Sequence, residues 1–280
     1  MNTPSMQEVL QGVRELPALP AVVMELVQSI GNADINAEDL AEKISHDQAL
    51  AAKTLRLANS SFYGMSRQVT SIAEATTILG LRTLRSVATA AGLVGGFSAA
   101  GSKSFDFHAF WRHAIGTALC ARSLARTALV DEDVAFTAGL VHDIGRLVLV
   151  SGFAASYEAV IAYQREHDGL PSEAEQAVFG FDHAAVGGLI AEHWKFSPAI
   201  VLAITQHHDP QADRKSKLAD IVHVADNMAH ALDLTHREDD LVPPLSVAAW
   251  SRLGINEELC LQVFRATEEQ HGAVCQSLLT

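Results

Sequence analysis

The stretch 138–150 carries a polar pair inside an otherwise apolar pattern. It reads AGLVHDIGRLVLV, and His142 and Asp143 stand side by side in it, followed by Gly145 and Arg146. Burying an imidazole beside a carboxylate costs free energy unless both groups find partners. A divalent metal ion satisfies both groups at once, because imidazole nitrogen and carboxylate oxygen are common metal ligands. The pair therefore predicts a metal site.

Further polar side chains occur at positions that helices would bury. His113 lies inside a long apolar helical pattern, and Asp226 interrupts an apolar run that would otherwise be core. His183 follows a helix cap, and His207 and His208 end a helix. Each histidine alone also fits an ordinary role, as a hydrogen-bonded core side chain or a solvated helix end, whereas a carboxylate in an apolar helix needs a partner. The other histidines are interpreted as surface or structural, namely His46, His108, His167, His193, His223, His230, His236 and His271.

The candidate ligands outnumber the ligands of one four-coordinate ion. They suit two ions that share a carboxylate, for which Asp143 is the natural bridge. Divalent iron, manganese, zinc and nickel all accept this mixture of donors. Two such ions activate water near neutral pH and hold a phosphate group. The predicted ligand set is His113, His142, Asp143, His183, His207, His208 and Asp226.

The elements that must position these residues are helices. Hydrophobic residues make up 49% of the chain but aromatics only 6%, a balance that favours packed helices over a β-sandwich. Apolar residues recur at helical spacing, and no convincing alternating strand pattern is present. Capping residues such as Asn36, Asp47, Ser71 and Asp182 precede these segments. We therefore predict an all-α helical bundle with its ligands projecting inward from several helices.

A small-residue stretch suggests where the bundle divides. Residues 92–104 read GLVGGFSAAGSKS, a composition typical of a boundary, although an ordinary loop inside one domain is the alternative. We expect an N-terminal helical subdomain over residues 1–95 and a metal-site subdomain over 105–240. A C-terminal helical pair is expected over 241–280.

Composition excludes several classes of function. A formal charge of −13 repels nucleic acid, so duplex binding is not expected. The three cysteines, Cys120, Cys260 and Cys275, form no CxxC motif and are typical of a reducing compartment. The N-terminus lacks a signal-peptide pattern, and no apolar stretch is expected to reach the roughly 18 residues of a membrane span. We expect a cytoplasmic protein.

Several short motifs, in a fixed order, resemble the HDOD branch of the HD superfamily of metal-dependent phosphohydrolases. The His-Asp pair alone is a weak signal, but the ordered set spans about residues 10 to 235. The motifs are LPALP at 16–20, DQAL at 47–50, LANS at 57–60, IAEA at 72–75 before Leu79-Gly80, AGL at 138–140 before the pair, FGFDH at 179–183, and Ala203-Ile204 before His207-His208.

The resemblance implies an N-terminal helical subdomain packed on an HD-like helical domain. HDOD domains are bacterial signalling modules, and many have lost metal ligands. The related HD-GYP branch hydrolyses cyclic di-GMP with a centre of two or three metal ions. The seven candidate ligands match, position by position, those of a two-metal HD-GYP site. This chain thus keeps more of the ligand set than a degenerate member needs.

The chain departs from HD-GYP domains in three places. His208 is followed by Asp-Pro-Gln-Ala, without the Gly-Tyr-Pro loop. The lysine usual after the HDIG glycine is Arg146, which keeps the charge but presents a planar fork. Ala109, four residues before His113, offers no carboxylate for a third metal ion.

Two functions follow from these observations. The first is a bacterial regulatory module that keeps a metal site and acts by binding signalling proteins or a nucleotide, with the loop Ser60–Gly64 and an acidic face as contact surfaces. The alternative is a metal-dependent phosphodiesterase acting on a nucleotide or cyclic dinucleotide. In that case Asp143 is catalytic at the metal ions, and Arg146 steadies the phosphate.

Overall fold

The fold is known from a computed structural model, which describes residues 4–15, 19–30, 36–60, 62–64, 67–96, 104–210, 216–238 and 240–280. These residues form helices and no strand, so the predicted all-α class is confirmed. The helices are α1 (Met6–Glu15), α2 (Ala21–Ser29), α3 (Ala37–His46), α4 (Gln48–Ala58), α5 (Ile72–Leu79), α6 (Leu81–Gly96), α7 (Phe107–Ala128), α8 (Glu132–Val141), α9 (Ile144–Gly152), α10 (Ala154–His167), α11 (Pro171–Phe179), α12 (His183–His193), α13 (Pro198–Thr205), α14 (Lys217–Ala231), α15 (Val247–Leu253) and α16 (Glu257–Leu279).

The predicted capping residues do start helices. The Asn36 side chain accepts a hydrogen bond from the Glu38 amide, and the Asp47 side chain accepts one from Leu50. Asp182 accepts from the Ala185 amide and so begins α12 at His183. These side chains satisfy backbone amides that the first helical turn leaves without partners.

Helix α7 lies at the centre of the bundle. It packs against α8, α14 and α16, and its buried face runs along most of its length. The approach of α8 is close enough to require Gly139, because a Cβ atom there would lie 2.9 Å from the Cα atom of Ala118. This contact brings the end of α8, and the turn that follows it, beside α7.

The N-terminal helices are joined to this centre by direct polar contacts. Thr83 on α6 donates a hydrogen bond of 3.1 Å to Asp133 on α8, and Ser86 lies 3.3 Å from Thr137. Helix α16 returns to pack on α4, α6 and α7.

The division into three parts that was predicted from the sequence stays a prediction. Helix α6 extends to Gly96, and residues 97–103 of the predicted boundary, like residues 16–18 of the LPALP turn, lie outside the described residues.

One expectation about apolar stretches was wrong. The stretch Glu132–Gly152 has the length of a membrane span, and an 18-residue window within it has a mean hydropathy of 1.4. Within the protein, however, 83% of this window is buried, and the turn at His142 and Asp143 divides it into α8 and α9. Its hydropathy is therefore accounted for by its position in the core.

Candidate metal centre

The structure brings all seven predicted ligands together. His113 comes from α7 and Asp226 from α14, while His183 is the first residue of α12. The other four lie at helix ends: His142 and Asp143 form the turn between α8 and α9, and His207 and His208 follow α13. Six of the seven are buried, and His208 is partly exposed.

Gly145 permits the contact between α9 and α12 on which the centre depends. A Cβ atom at this position would lie 2.0 Å from the carbonyl oxygen of His183 and 2.7 Å from the amide nitrogen of Gly187. No side chain fits there, so glycine holds the first turn of α12 against the turn that carries Asp143.

One side of the centre is formed by two histidines and two aspartates. The Nε2 atom of His113 lies 2.9 Å from Oδ1 of Asp226 and 3.3 Å from Nε2 of His142. The same His142 nitrogen lies 3.4 Å from Oδ1 of Asp143 and 3.4 Å from Oδ1 of Asp226. These atoms all point toward one small volume.

The other side consists of three histidines, two of which face the same aspartate. Oδ1 of Asp143 lies 2.9 Å from Nε2 of His183 and 3.4 Å from Nε2 of His207. Nε2 of His208 lies 2.9 Å from Nε2 of His183. Because Asp143 also faces His142, it stands between the two groups of donors, the position expected of a bridging ligand.

The backs of these imidazoles are held by acceptors. The Nδ1 atom of His142 donates to the Gly139 carbonyl at 2.7 Å, and that of His207 to the Ile204 carbonyl at 2.7 Å. His183 donates instead to Glu175, at 2.6 Å. Such contacts fix the tautomer that leaves Nε2 free to face inward, as in histidine metal ligands generally.

The charges at the centre favour ionised carboxylates. Burial raises the pKa of Asp143, but the charges of His142 and His183 and its hydrogen bonds lower this pKa by a larger amount. The pKa of Asp143 therefore lies well below its usual range. Burial lowers the pKa of His183, yet Glu175 and Asp143 together raise it to about 10. Burial and the charge of His207 lower the pKa of His208.

The donors present fit a divalent metal ion. The Nε2 atom of His207 is buried and finds no hydrogen-bond partner among the described residues, although it faces the site. A buried nitrogen without a partner costs free energy that coordination would recover. The histidines and aspartates also form groups of three whose ligand atoms lie within 4.8 Å of one another.

A family model for the HDOD domain matches residues 16–210, well over half of the chain. The chain belongs to the HDOD family. The resemblance predicted from the ordered motifs is therefore confirmed.

The HDOD fold extends beyond the matched segment. A Geobacter sulfurreducens HDOD domain protein of unknown function has a TM-score of 0.85 at 24% identity, over 99% of this chain and 100% of its own. A Shewanella amazonensis protein, provisionally named a phosphohydrolase, has a TM-score of 0.79 at 30% identity, over 96% of this chain and 97% of its own. An uncharacterised Treponema pallidum protein is 27% identical over 210 residues, which are 73% of this chain. The chain spans 40% of that protein's length.

Arg146 of this HDOD protein is already engaged by the centre. Its Nη1 atom donates to Oδ2 of Asp143 at 3.1 Å, and its Nε atom lies 3.5 Å from the hydroxyl of Tyr157. The Tyr157 hydroxyl in turn donates to Glu175 at 2.9 Å. Arg146 therefore orients Asp143, and a phosphate group would have to share this guanidinium.

His230, interpreted from the sequence as surface or structural, lies against the centre. Its Nε2 atom lies 3.5 Å from Oδ1 of Asp226, and its ring lies 4.2 Å from that of His113 between centroids. The signal was available in the sequence, because His230 follows Asp226 by four residues, which places both on one face of α14. Glu175 was missed as well.

The cavity at the centre is small. Its volume is about 30 Å³, and its walls include Asp143, Arg146, His183 and His208. A neighbouring cavity of about 90 Å³ shares Arg146 with it. A water molecule needs roughly 10–15 Å³, so the first cavity has room for about two waters.

Proposed function

We propose that this protein is a bacterial HDOD-type regulatory module that holds one or two divalent metal ions and acts by binding a signalling protein. The observation that carries the proposal is a full set of ligands beside a cavity of about 30 Å³. Small-molecule sites usually enclose roughly 300–1,000 Å³. This cavity does not enclose a nucleotide, which would have to lie outside it in the open cleft of about 440 Å³ beside His208. The small volume at the ligands themselves favours a protein partner over a nucleotide.

The ligands divide into two groups in this proposal. His113, His142 and Asp226 would hold one ion and His183, His207 and His208 the other, and Asp143 faces both groups. Iron, manganese, zinc and nickel are the candidate metals. Because these residues come from helices far apart in sequence, an ion here would fasten α7, α12 and α14 to one another.

We place the partner surface elsewhere than on the aromatic loop expected from the sequence. Phe62 and Tyr63 turn inward, where the guanidinium of Arg122 lies 4.9 Å from the Phe62 ring and 5.5 Å from the Tyr63 ring. Phe62 also stacks on Phe136 of α8. The acidic surface of the chain, with its formal charge of −13, remains the proposed contact face. The proposed compartment is the cytoplasm.

The test is a phosphodiesterase assay on protein loaded with Mn²⁺ or Fe²⁺. Cyclic di-GMP and bis(p-nitrophenyl) phosphate serve as substrates, and a variant with Asp143→Asn measures the background. We expect the loaded protein and the variant to release product equally slowly. Steady turnover by the loaded protein alone would overturn the regulatory proposal.

A phosphodiesterase is the second candidate function, because Arg146 lines both cavities beside the ligands. Bound metal ions would supply Lewis-acid activation of water and phosphate. Arg146 would bind a phosphate oxygen, at the cost of loosening its contact with Asp143. Under this alternative Arg146→Lys keeps part of the turnover and Arg146→Ala removes it.

A further inference from the structure

His230 and Asp240 form a second carboxylate–histidine pair at the centre, in addition to His183 and Glu175. His230 donates its Nδ1 hydrogen to Oδ1 of Asp240, and its Nε2 atom points at Asp226. The hydroxyl of Thr235 donates to the other oxygen of Asp240 at 2.5 Å, so both oxygens of that carboxylate are used. The imidazole is therefore fixed in orientation on the side away from the centre.

This arrangement repeats that of His183. His183 has Nδ1 on Glu175 and Nε2 on Asp143, while His230 has Nδ1 on Asp240 and Nε2 on Asp226. A carboxylate behind the imidazole is the usual support of a histidine metal ligand. By this criterion His230 is better supported than His113, whose Nδ1 atom finds no hydrogen-bond partner among the described residues.

Two other buried histidines show what a structural role looks like here. His223 donates from Nδ1 to the His207 carbonyl at 2.6 Å and accepts at Nε2 from the Ser246 amide at 2.8 Å. His271 lies 2.8 Å from the Arg112 carbonyl. The protein satisfies these rings by itself. Among the described residues, by contrast, the polar contact of the His230 Nε2 atom is a carboxylate at 3.5 Å, long for a hydrogen bond.

The ligand atoms of His113, Asp226 and His230 lie within 4.8 Å of one another, close enough to share one ion. Ala109 and His113 of α7 and His230 of α14 all line the adjoining cavity, and of these three only the two histidines offer a ligand atom. We propose that His230, held by Asp240, is a further metal ligand that forms one coordination group with His113 and Asp226. This inference rests on the proposed metal site.

The experiment is a titration of the metal-free full chain with Co²⁺, followed by the visible absorption spectrum of the bound ion. His230→Gln removes the imidazole, and Asp240→Asn removes only its support. We expect His230→Gln to change the spectrum and weaken one binding step. Asp240→Asn should weaken the same step by about 10–100-fold, as loss of a supporting carboxylate does elsewhere. His271→Gln, a buried histidine outside the centre, should behave as wild type.

The outcomes separate the two claims. If wild type binds Co²⁺ and His142→Ala reduces binding, but His230→Gln keeps the wild-type spectrum and affinity, the inference about His230 is wrong and the metal site stands. If wild type binds no Co²⁺, both fail. Should His230→Gln not fold, as judged by thermal unfolding without metal, Asp240→Asn decides: wild-type affinity in that variant overturns the inference.

Discussion

At the scale of single residues, Asp143 holds the centre together. One of its oxygens faces three imidazole nitrogens, and the other accepts from Arg146. The adjacent His-Asp pair and Asp226 were identifiable from the sequence, because polar side chains in apolar helices need partners. Glu175 was not, because the segment Pro171–Phe179 also contains Glu173, and only the packed structure shows which glutamate is buried.

Metal uptake should release protons. Burial lowers the pKa of His183, but Glu175 and Asp143 raise it to about 10, so at neutral pH the imidazole carries a proton that an ion must displace. We expect affinity to rise with pH, by about tenfold per unit for each proton released. Calorimetric titrations in buffers of different ionisation enthalpy measure the number.

Glu175→Gln serves as the comparison, because it removes the larger of the two charges that raise this pKa. The variant should release fewer protons per ion bound at neutral pH. Uptake without proton release by the wild-type protein would contradict the role assigned to His183.

At the scale of helices, the sequence predicted most elements because their starts carry capping side chains. Asp182 fixes where α12 begins and thereby places His183 at its first position. The close approach of α9 and α12 could not be predicted, because glycine in a sequence does not reveal which backbone lies against it. Gly145 shows this: its neighbour, the His183 carbonyl, is 38 residues away along the chain.

Gly145→Ala should therefore destabilise the protein strongly. The new Cβ atom would meet backbone at 2.0 Å, and the α9–α12 contact must open to admit it. We expect a loss of about 3 kcal/mol or more in the free energy of unfolding, the upper part of the range for overpacking. Urea unfolding measures the change.

Gly152→Ala on the same helix is the matched control, because no atom from another described part of the fold lies within 4 Å of a Cβ there. Its effect should stay within about 1 kcal/mol and favour the folded state. Equal stability of the two variants would show that α9 and α12 are not held this closely.

At the scale of the whole molecule, the fold surrounds its polar centre almost completely. The apolar stretch Glu132–Gly152 passes through the core beside the ligands, which is why a buried segment has the hydropathy of a membrane span. Whole-chain properties such as the −13 charge were available from the sequence. The size of the cavity was not, because it depends on how six or more helices pack at once.

An ion at the centre should stabilise the entire chain, since its ligands extend from His113 on α7 to Asp226 on α14. Binding at a free concentration one hundred times Kd adds about 2.7 kcal/mol to the free energy of unfolding. We expect chelation by EDTA to lower Tm and added Mn²⁺ to restore it. A Tm unaffected by both treatments would argue against metal in the folded state.

The most direct test of the metal centre is elemental analysis of the protein purified without oxygen or chelator. Wild type should contain at least one iron, manganese, zinc or nickel ion per chain. Asp143→Asn should contain little or none, because it removes the charge shared by both groups of ligands. Asp182→Asn, which alters only the cap of α12, should retain the wild-type content. A wild-type protein free of metal, or an Asp143→Asn variant with full content, would contradict the account.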